Sequence, residues 1–312
     1  MVRCALLVAF AALALSACRP PDVSAGEPTA GDPPGFDRPA AAVHDAVADV
    51  YLVSNVRGAL LAKDGNGYIA RVSPKDRSMQ RYWIEGGRNG VTLHAPKGMA
   101  ITGDLLWVAD IDTLRAFDRT SGAPVRTIEV PGAACLQDVA AGADGMLFAS
   151  DAGLDANGQP TGSDGIWRVS GCPRAGSRFN PEDAWVARPL VRGPELGQPH
   201  GLVVRENSVY YVSWRDGTLC LVEPCGALTQ LSKAATPQLV GLVRVEAKNG
   251  AGAPTWIATS WAGHCLHRLE ACGGCTTLPQ QLEQAADCGF DAGRRLLLVP
   301  LFGRNQLEFV SL

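Results

Sequence analysis

A basic excess is what this sequence most plainly lacks. Its 28 Lys and Arg stand against 31 Asp and Glu, a formal net charge of −3, so the electrostatic footprint of a nucleic-acid binder is missing. Charge of either sign is scarce, 19% of residues against 46% hydrophobic, in a chain of 312 residues. That excludes disorder over most of the length and leaves ample material for a core. Helical periodicity is nearly absent too; residues 279–287 could manage two turns at most. With 35 glycines and 21 prolines, many turns and few long helices are expected.

The N-terminus is set apart from the fold. Arg3 precedes an apolar run, Ala5 to Leu15, that is too short to span a bilayer and has the form of a signal segment. It ends in Leu15-Ser16-Ala17-Cys18, which resembles a bacterial lipobox. The resemblance implies that residues 1–17 are removed and that Cys18 is diacylated. An ordinary secretory signal cut nearby is the other reading. Residues 18–39 then form a tether rich in proline, expected to be extended, between the lipid and a folded part at 40–312. An anchored protein, rather than a spanning one, follows. Arg19 after the lipidated cysteine, with no Asp there, points to the outer membrane, facing the periplasm, if the source is Gram-negative.

In that oxidising compartment the eight cysteines left, Cys135, Cys172, Cys220, Cys225, Cys265, Cys272, Cys275 and Cys288, read first as a bridge framework. Cys220 and Cys225 flank Glu223-Pro224 between two strand-like runs, so a bridge across that hairpin is the expected pair. Cys272-Gly273-Gly274-Cys275 could instead be half a zinc site or a redox motif, but no second CxxC accompanies it and no His follows Cys275.

From residue 40 onward a loose repeat runs through the chain. Six apolar second-strand runs align, among them Val50 to Asn55, Leu106 to Asp110, Leu147 to Asp151 and Val209 to Trp214. Openings ahead of them align as well: Lys97-Gly98-Met99, Gln137-Asp138-Val139, His200-Gly201-Leu202, Val240-Gly241-Leu242 and Cys288-Gly289-Phe290. Six units over these residues give about 45 residues each, the length of a four-stranded propeller blade. The expected fold is all-β: a six-bladed β-propeller of four-stranded antiparallel blades around a central tunnel. A sandwich is the rival, but it does not account for the repeated signatures. The last unit stops after its third strand, which leaves an N-terminal stretch available to complete the ring.

The runs Asn66 to Arg71, Ala95 to Ala100 and Val108 to Asp112 resemble the gluconolactonase/regucalcin-like (NHL-type) family of six-bladed propellers. The resemblance implies a divalent cation, often calcium, held in the tunnel by a Glu of the first blade and by Asn and Asp side chains before the opening glycines. It would polarise a lactone carbonyl. This chain departs from that pattern, with Ala40, Ala41 and Ala42, then Gln137, His200 and Val240, at the matching positions. The family's metal site is therefore expected to be lost, no metal ligand is assigned, and no cofactor is expected except calcium should the hydrolase alternative hold.

In a propeller the starts of the first strands and the ends of the second strands share one face. That places Asn55, Lys97, Asp110, Asp138, Asp151, His200, Trp214, Arg215, Trp261 and Phe302 at one tunnel mouth, as a ligand pocket with aromatic walls. The bland reading is that the Asp residues cap turns and the Trp residues fill gaps between blades. His200 and Asp151 are the only catalytic candidates, His200 as a base. The loop Asp155 to Gln159 echoes a calcium loop without its closing Glu. The expected function is an anchored extracytoplasmic propeller binding a small molecule or an envelope protein at this mouth; the alternative is a metal-assisted lactone hydrolase.

Overall fold

A computed structural model describes residues 35–171, 184–247 and 253–312. Cys18, the signal segment, most of the tether and Cys172 lie outside the described residues. The strands come in sequential antiparallel sets. Blade 1 holds β1 (Pro39–Asp45), β2 (Val50–Asn55), β3 (Tyr68–Val72) and β4 (Met79–Glu85). Blade 2 holds β5 (Pro96–Thr102), β6 (Leu105–Asp110), β7 (Thr113–Asp118) and β8 (Pro124–Glu129). Blade 3 holds β9 (Leu136–Ala141), β10 (Leu147–Asp151), β11 (Gly165–Gly171) and β12 (Trp185–Arg192). Blade 4 holds β13 (Pro199–Arg205), β14 (Ser208–Ser213), β15 (Thr218–Val222) and β16 (Leu228–Lys233). Blade 5 holds β17 (Leu239–Val245), β18 (Thr255–Ser260), β19 (Cys265–Leu269) and β20 (Cys275–Thr277), and blade 6 holds β21 (Gly289–Asp291), β22 (Leu296–Leu301) and β23 (Gln306–Ser311). The first strands touch in order around the ring, and β21 returns to β1. The fold is a six-bladed β-propeller.

Each seam between blades is filled by the alternating apolar face of the strands on either side. Trp107 and Trp167 meet between blades 2 and 3, Leu52 and Phe117 between blades 1 and 2, Phe148 and Tyr211 between blades 3 and 4. Corresponding clusters close the other three seams. Fully burying one such side chain contributes roughly 1.5–3 kcal/mol, so the six seams, and not the blade hydrogen bonds alone, hold the ring.

The opening glycines have a common cause. A Cβ at Gly201 would lie within 3 Å of the backbone of Leu242 in the next blade, one at Gly241 would meet Cys288, and one at Gly289 would meet Ala42. Glycine stands where inner strands of neighbouring blades touch. A Cβ at Gly98 would meet Asp138 itself, and Asp138 is the residue blade 3 carries at the glycine position.

The sixth blade has three strands among the described residues, and most of the N-terminal stretch expected to complete it lies outside them. Between blades 1 and 6 the described residues form an isolated parallel bridge, Ala41 to Asp287, with Ala42 N–H donating to Asp287 O at 3.2 Å and Asp287 N–H to Ala40 O at 3.0 Å. One expectation is corrected. Cys220 and Cys225 are not bridged. Cys220 sits mid-strand on β15 with its buried side chain in the seam between blades 3 and 4, its thiol 3.4 Å from Thr218 Oγ1. Cys225 is exposed in the following turn, its thiol 3.8 Å from Glu223. One faces the core and the other the solvent, so the hairpin that places them close in sequence also turns them apart. The five other described cysteines are free as well.

Candidate functional site: the tunnel mouth

In blades 1 to 5 the start of the inner strand pairs with the end of the second strand: Pro39 with Asn55, Pro96 with Asp110, Leu136 with Asp151, Pro199 with Ser213, Leu239 with Ser260. These ends share one face of the ring. The five second-strand residues are all buried and polar, and each ties down the loop that leads into its own blade. Asn55 Oδ1 accepts from Asp37 N–H at 3.0 Å. Asp110 accepts from the backbone of His94 and Ala95 and pairs with Arg115 at 2.5 Å. Asp151 accepts from Ala134, Cys135 and Gly153. Ser213 Oγ donates to Gly197 O at 2.7 Å and Ser260 Oγ to Pro237 O at 3.1 Å. The lone pairs of Asp151 are thus spent on backbone amides, and those of Asp110 on two amides and Arg115. Arg215 is exposed and engaged by Asp216 at 2.9 Å. Asp155 accepts from Asn157 and Gln159 N–H, both at 2.8 Å, and so closes its own turn.

Four of the expected residues come together in an arc. His200 stacks on Trp214 with ring centres 5.1 Å apart, Trp214 meets Trp261 at 6.0 Å, and Trp261 meets Phe302 at 5.5 Å. The Arg38 guanidinium lies 5.9 Å from the centre of the Phe302 ring. His200 is buried, and its Nδ1 lies 3.0 Å from Gln198 O, a carbonyl that also accepts from Trp214 N–H. That carbonyl assigns the proton to Nδ1 and leaves Nε2 as an acceptor. Burial, with the nearby Lys97 charge adding to it, holds the imidazole down at about 4. It is neutral at physiological pH.

Lys97 completes the mouth. It is only 5% exposed. Its Nζ lies 3.3 Å from Leu60 O. Leu60 belongs to residues 56–67, which connect β2 to β3 and fold over this face. The connection is held by Lys63 on Asp112 at 2.6 Å, by Gly65 N–H on His94 Nδ1 at 3.0 Å and by Arg38 on Gly58 O. Leu61 packs against the cluster that contains Trp261, Phe302, Ala40 and Ile111. Sequence reasoning missed this cover, although the gap between the second and third strands of blade 1 is longer than a hairpin needs. Two surface clefts lie elsewhere: one of about 200 Å³ beside Tyr82 and Gly122, and a more open one of about 570 Å³ beside His44, Asp49 and Arg294.

Asp138 is placed deeper than expected, in the tunnel. Its carboxylate accepts from Val139 N–H and from Leu202 N–H of the next blade, both at 2.7 Å, and it is hydrogen-bonded to Asp287 of the opposite blade. Burial raises both carboxyl groups, Asp287 the further because Asp138 lies against it. Two backbone donors favour the anion on Asp138, so the proton of the pair resides on Asp287.

No protein-family model and no curated protein matches the chain. Solved structures do. A protein described as a gluconolactonase is similar at a TM-score of 0.58 and 15% identity, over 86% of this chain and 87% of the other. Regucalcin, a calcium-binding protein from Agrobacterium tumefaciens, gives 0.55 and 13% over 85% and 82%. A catalytically inactive histidine variant of virginiamycin B lyase from Staphylococcus aureus, with quinupristin, gives 0.53 and 13% over 89% and 85%. The shared feature is the propeller. These identities carry the fold alone.

The cation that this fold family implies was tested against the residues present. Two tunnel carboxyl groups bonded to each other, one of them protonated, offer a hard cation a single anionic ligand. Lys97 and Arg38 at the mouth oppose a cation further, and no three His, Cys, Asp or Glu side chains converge among the described residues. The residues do not fit such an ion.

Proposed function

We propose that the chain is a membrane-anchored extracytoplasmic propeller that binds a small organic molecule at the tunnel mouth. The carrying observation is the constellation of buried Lys97 and neutral His200 beside Trp214, Trp261 and Phe302, beneath residues 56–67. Concave sites with apolar walls and a few placed polar groups are how small molecules are held. The anchor rests on the lipobox resemblance at Cys18, and Cys18→Ala should move the protein from the membrane to the soluble fraction.

The likeness to a gluconolactonase structure keeps metal-assisted lactone hydrolysis as a second reading. Its electrophile would have to be a cation, and the tunnel residues fit one poorly. A lactone panel assayed with calcium, zinc and a chelator separates the two. Binding predicts no chelator-sensitive turnover, with a ligand-induced rise in melting temperature that Trp214→Ala abolishes. Robust turnover lost on chelation would establish the hydrolase instead.

A further inference from the structure

Lys97 makes an unusual set of contacts for a lysine enclosed on almost every side. An ammonium has three N–H donors, and the described residues give this one a single acceptor, the neutral carbonyl of Leu60 at 3.3 Å. No carboxylate lies within 4.0 Å of it among the described residues. Buried charges are normally paired, and a cation left with one long, neutral contact is short of an anion. The other carboxylates of this face are engaged elsewhere: Asp110 with Arg115 and two amides, Asp151 with three amides, Asp112 with Lys63. Among the described residues no side chain supplies its counter-ion.

We propose that the ligand supplies it. The mouth takes a small organic carboxylate with an aromatic or apolar body and a nearby hydroxyl. This rests on the mouth being the binding site, as proposed above, and adds the class of ligand. The carboxylate replaces the Leu60 carbonyl on Lys97, exchanging a neutral acceptor for an ionised one of roughly twice the strength. The body lies along Trp214, Trp261 and Phe302. The hydroxyl donates to His200 Nε2, the acceptor that the Gln198 carbonyl leaves free. Because His200 is neutral, its ring accepts from the ligand without competing with Lys97 for the carboxylate. Residues 56–67 lie over Lys97, with Leu60 O standing where the ligand oxygen goes.

The probes are mandelate and indole-3-lactate, each compared with its uncharged amide, titrated into the full-length protein with tryptophan fluorescence as readout. The acids should bind saturably and at least tenfold more tightly than the amides. Lys97→Met should weaken the acids tenfold or more and so abolish their advantage over the amides, with an unaltered circular dichroism spectrum showing that it is folded. Lys97→Arg should retain part of the preference. Acids and amides binding wild type alike, through a site that Trp214→Ala destroys, would overturn the anion selectivity and leave the mouth as the site. No binding of either set would overturn both.

Discussion

Replacing Asp287 by Asn removes one ionisable proton from the tunnel while keeping a donor to Asp138. In the wild type the folded protein holds that proton, because burial and the facing carboxylate raise Asp287 well above the ordinary range. The unfolded chain releases it above about pH 4. Folding therefore takes up a proton, and stability falls as pH rises from there until the folded group itself ionises. The slope is about 1.4 kcal/mol per pH unit for one proton. A proton held throughout would make that about 4 kcal/mol between pH 5 and 8, the ceiling of the effect. Asp287 keeps part of its surface open to the tunnel, and water there screens it, so about 2–4 kcal/mol is expected. For a domain of this size that corresponds to roughly 5–10 °C in melting temperature.

An amide at 287 makes the same hydrogen bond with no proton to gain. Asp287→Asn should match the wild type near pH 5 and exceed it by that margin at pH 8, in urea unfolding at four pH values. Asp151 and Asp164, also raised by burial, slope the same way. His200 and His267, lowered by burial, slope the opposite way at lower pH. All four are common to both proteins and cancel in the difference, as does the slope of Asp138, which burial raises to about 7 in either protein. Parallel curves for the two proteins would refute the shared proton.

Other outcomes follow from named contacts. His200 is held at about 4 by burial, so the unfolded state binds its proton first as pH falls from 6.5 to 4, and about 3 kcal/mol should be lost across that window; His200→Gln should remove that loss in unfolding curves recorded between pH 6.5 and 4. Asp110→Ala should cost about 3–5 kcal/mol by leaving Arg115 and two backbone amides without an acceptor, and Asp110→Asn should cost less, both read by chemical denaturation. Alkylation followed by mass spectrometry should label Cys225, Cys272 and Cys275 in the folded protein, and Cys135, Cys220, Cys265 and Cys288 only after unfolding; a Cys220–Cys225 bridge in that experiment would contradict the free thiols seen here.

How much of this could be read beforehand depended on distance along the chain. The second strands were legible because an alternating apolar run such as Val209 to Trp214 reports a half-buried surface directly. The opening glycines were legible as a pattern, though their cause, contact with the next blade's backbone, is visible only in three dimensions. Lys97, His200, Trp214, Trp261 and Phe302 could be gathered because propeller geometry alone sets which strand ends share a face. Asp110 and Asp151 could not be separated from ligand carboxylates by residue type; only the amides pointing at them decide it. The Asp138–Asp287 pair joins opposite blades, and no local signal marks such a contact. The cover over Lys97 is irregular backbone with no period to detect. The expected bridge came from compartment and spacing, which say nothing of the direction in which a strand residue points.

The charge arrangement of the tunnel argues as a whole for the kind of ligand that fits. A site for a divalent cation needs several oxygens around one point and a negative local field. This tunnel has one anion, Asp138, and its charge is already shared among Val139 N–H, Leu202 N–H and the Asp287 proton. The face above it carries Lys97, which has no ion partner among the described residues, Arg38 over Phe302, and an imidazole that stays uncharged. Lys97, largely desolvated beside an uncharged imidazole, attracts an anion more strongly than it would in water and repels a cation likewise. Ring opening of a lactone yields a carboxylate with a hydroxyl on the same molecule, so this mouth suits the product of lactone hydrolysis better than the metal that would catalyse it. On the proposed reading the opening of this propeller is a receptor for an acid.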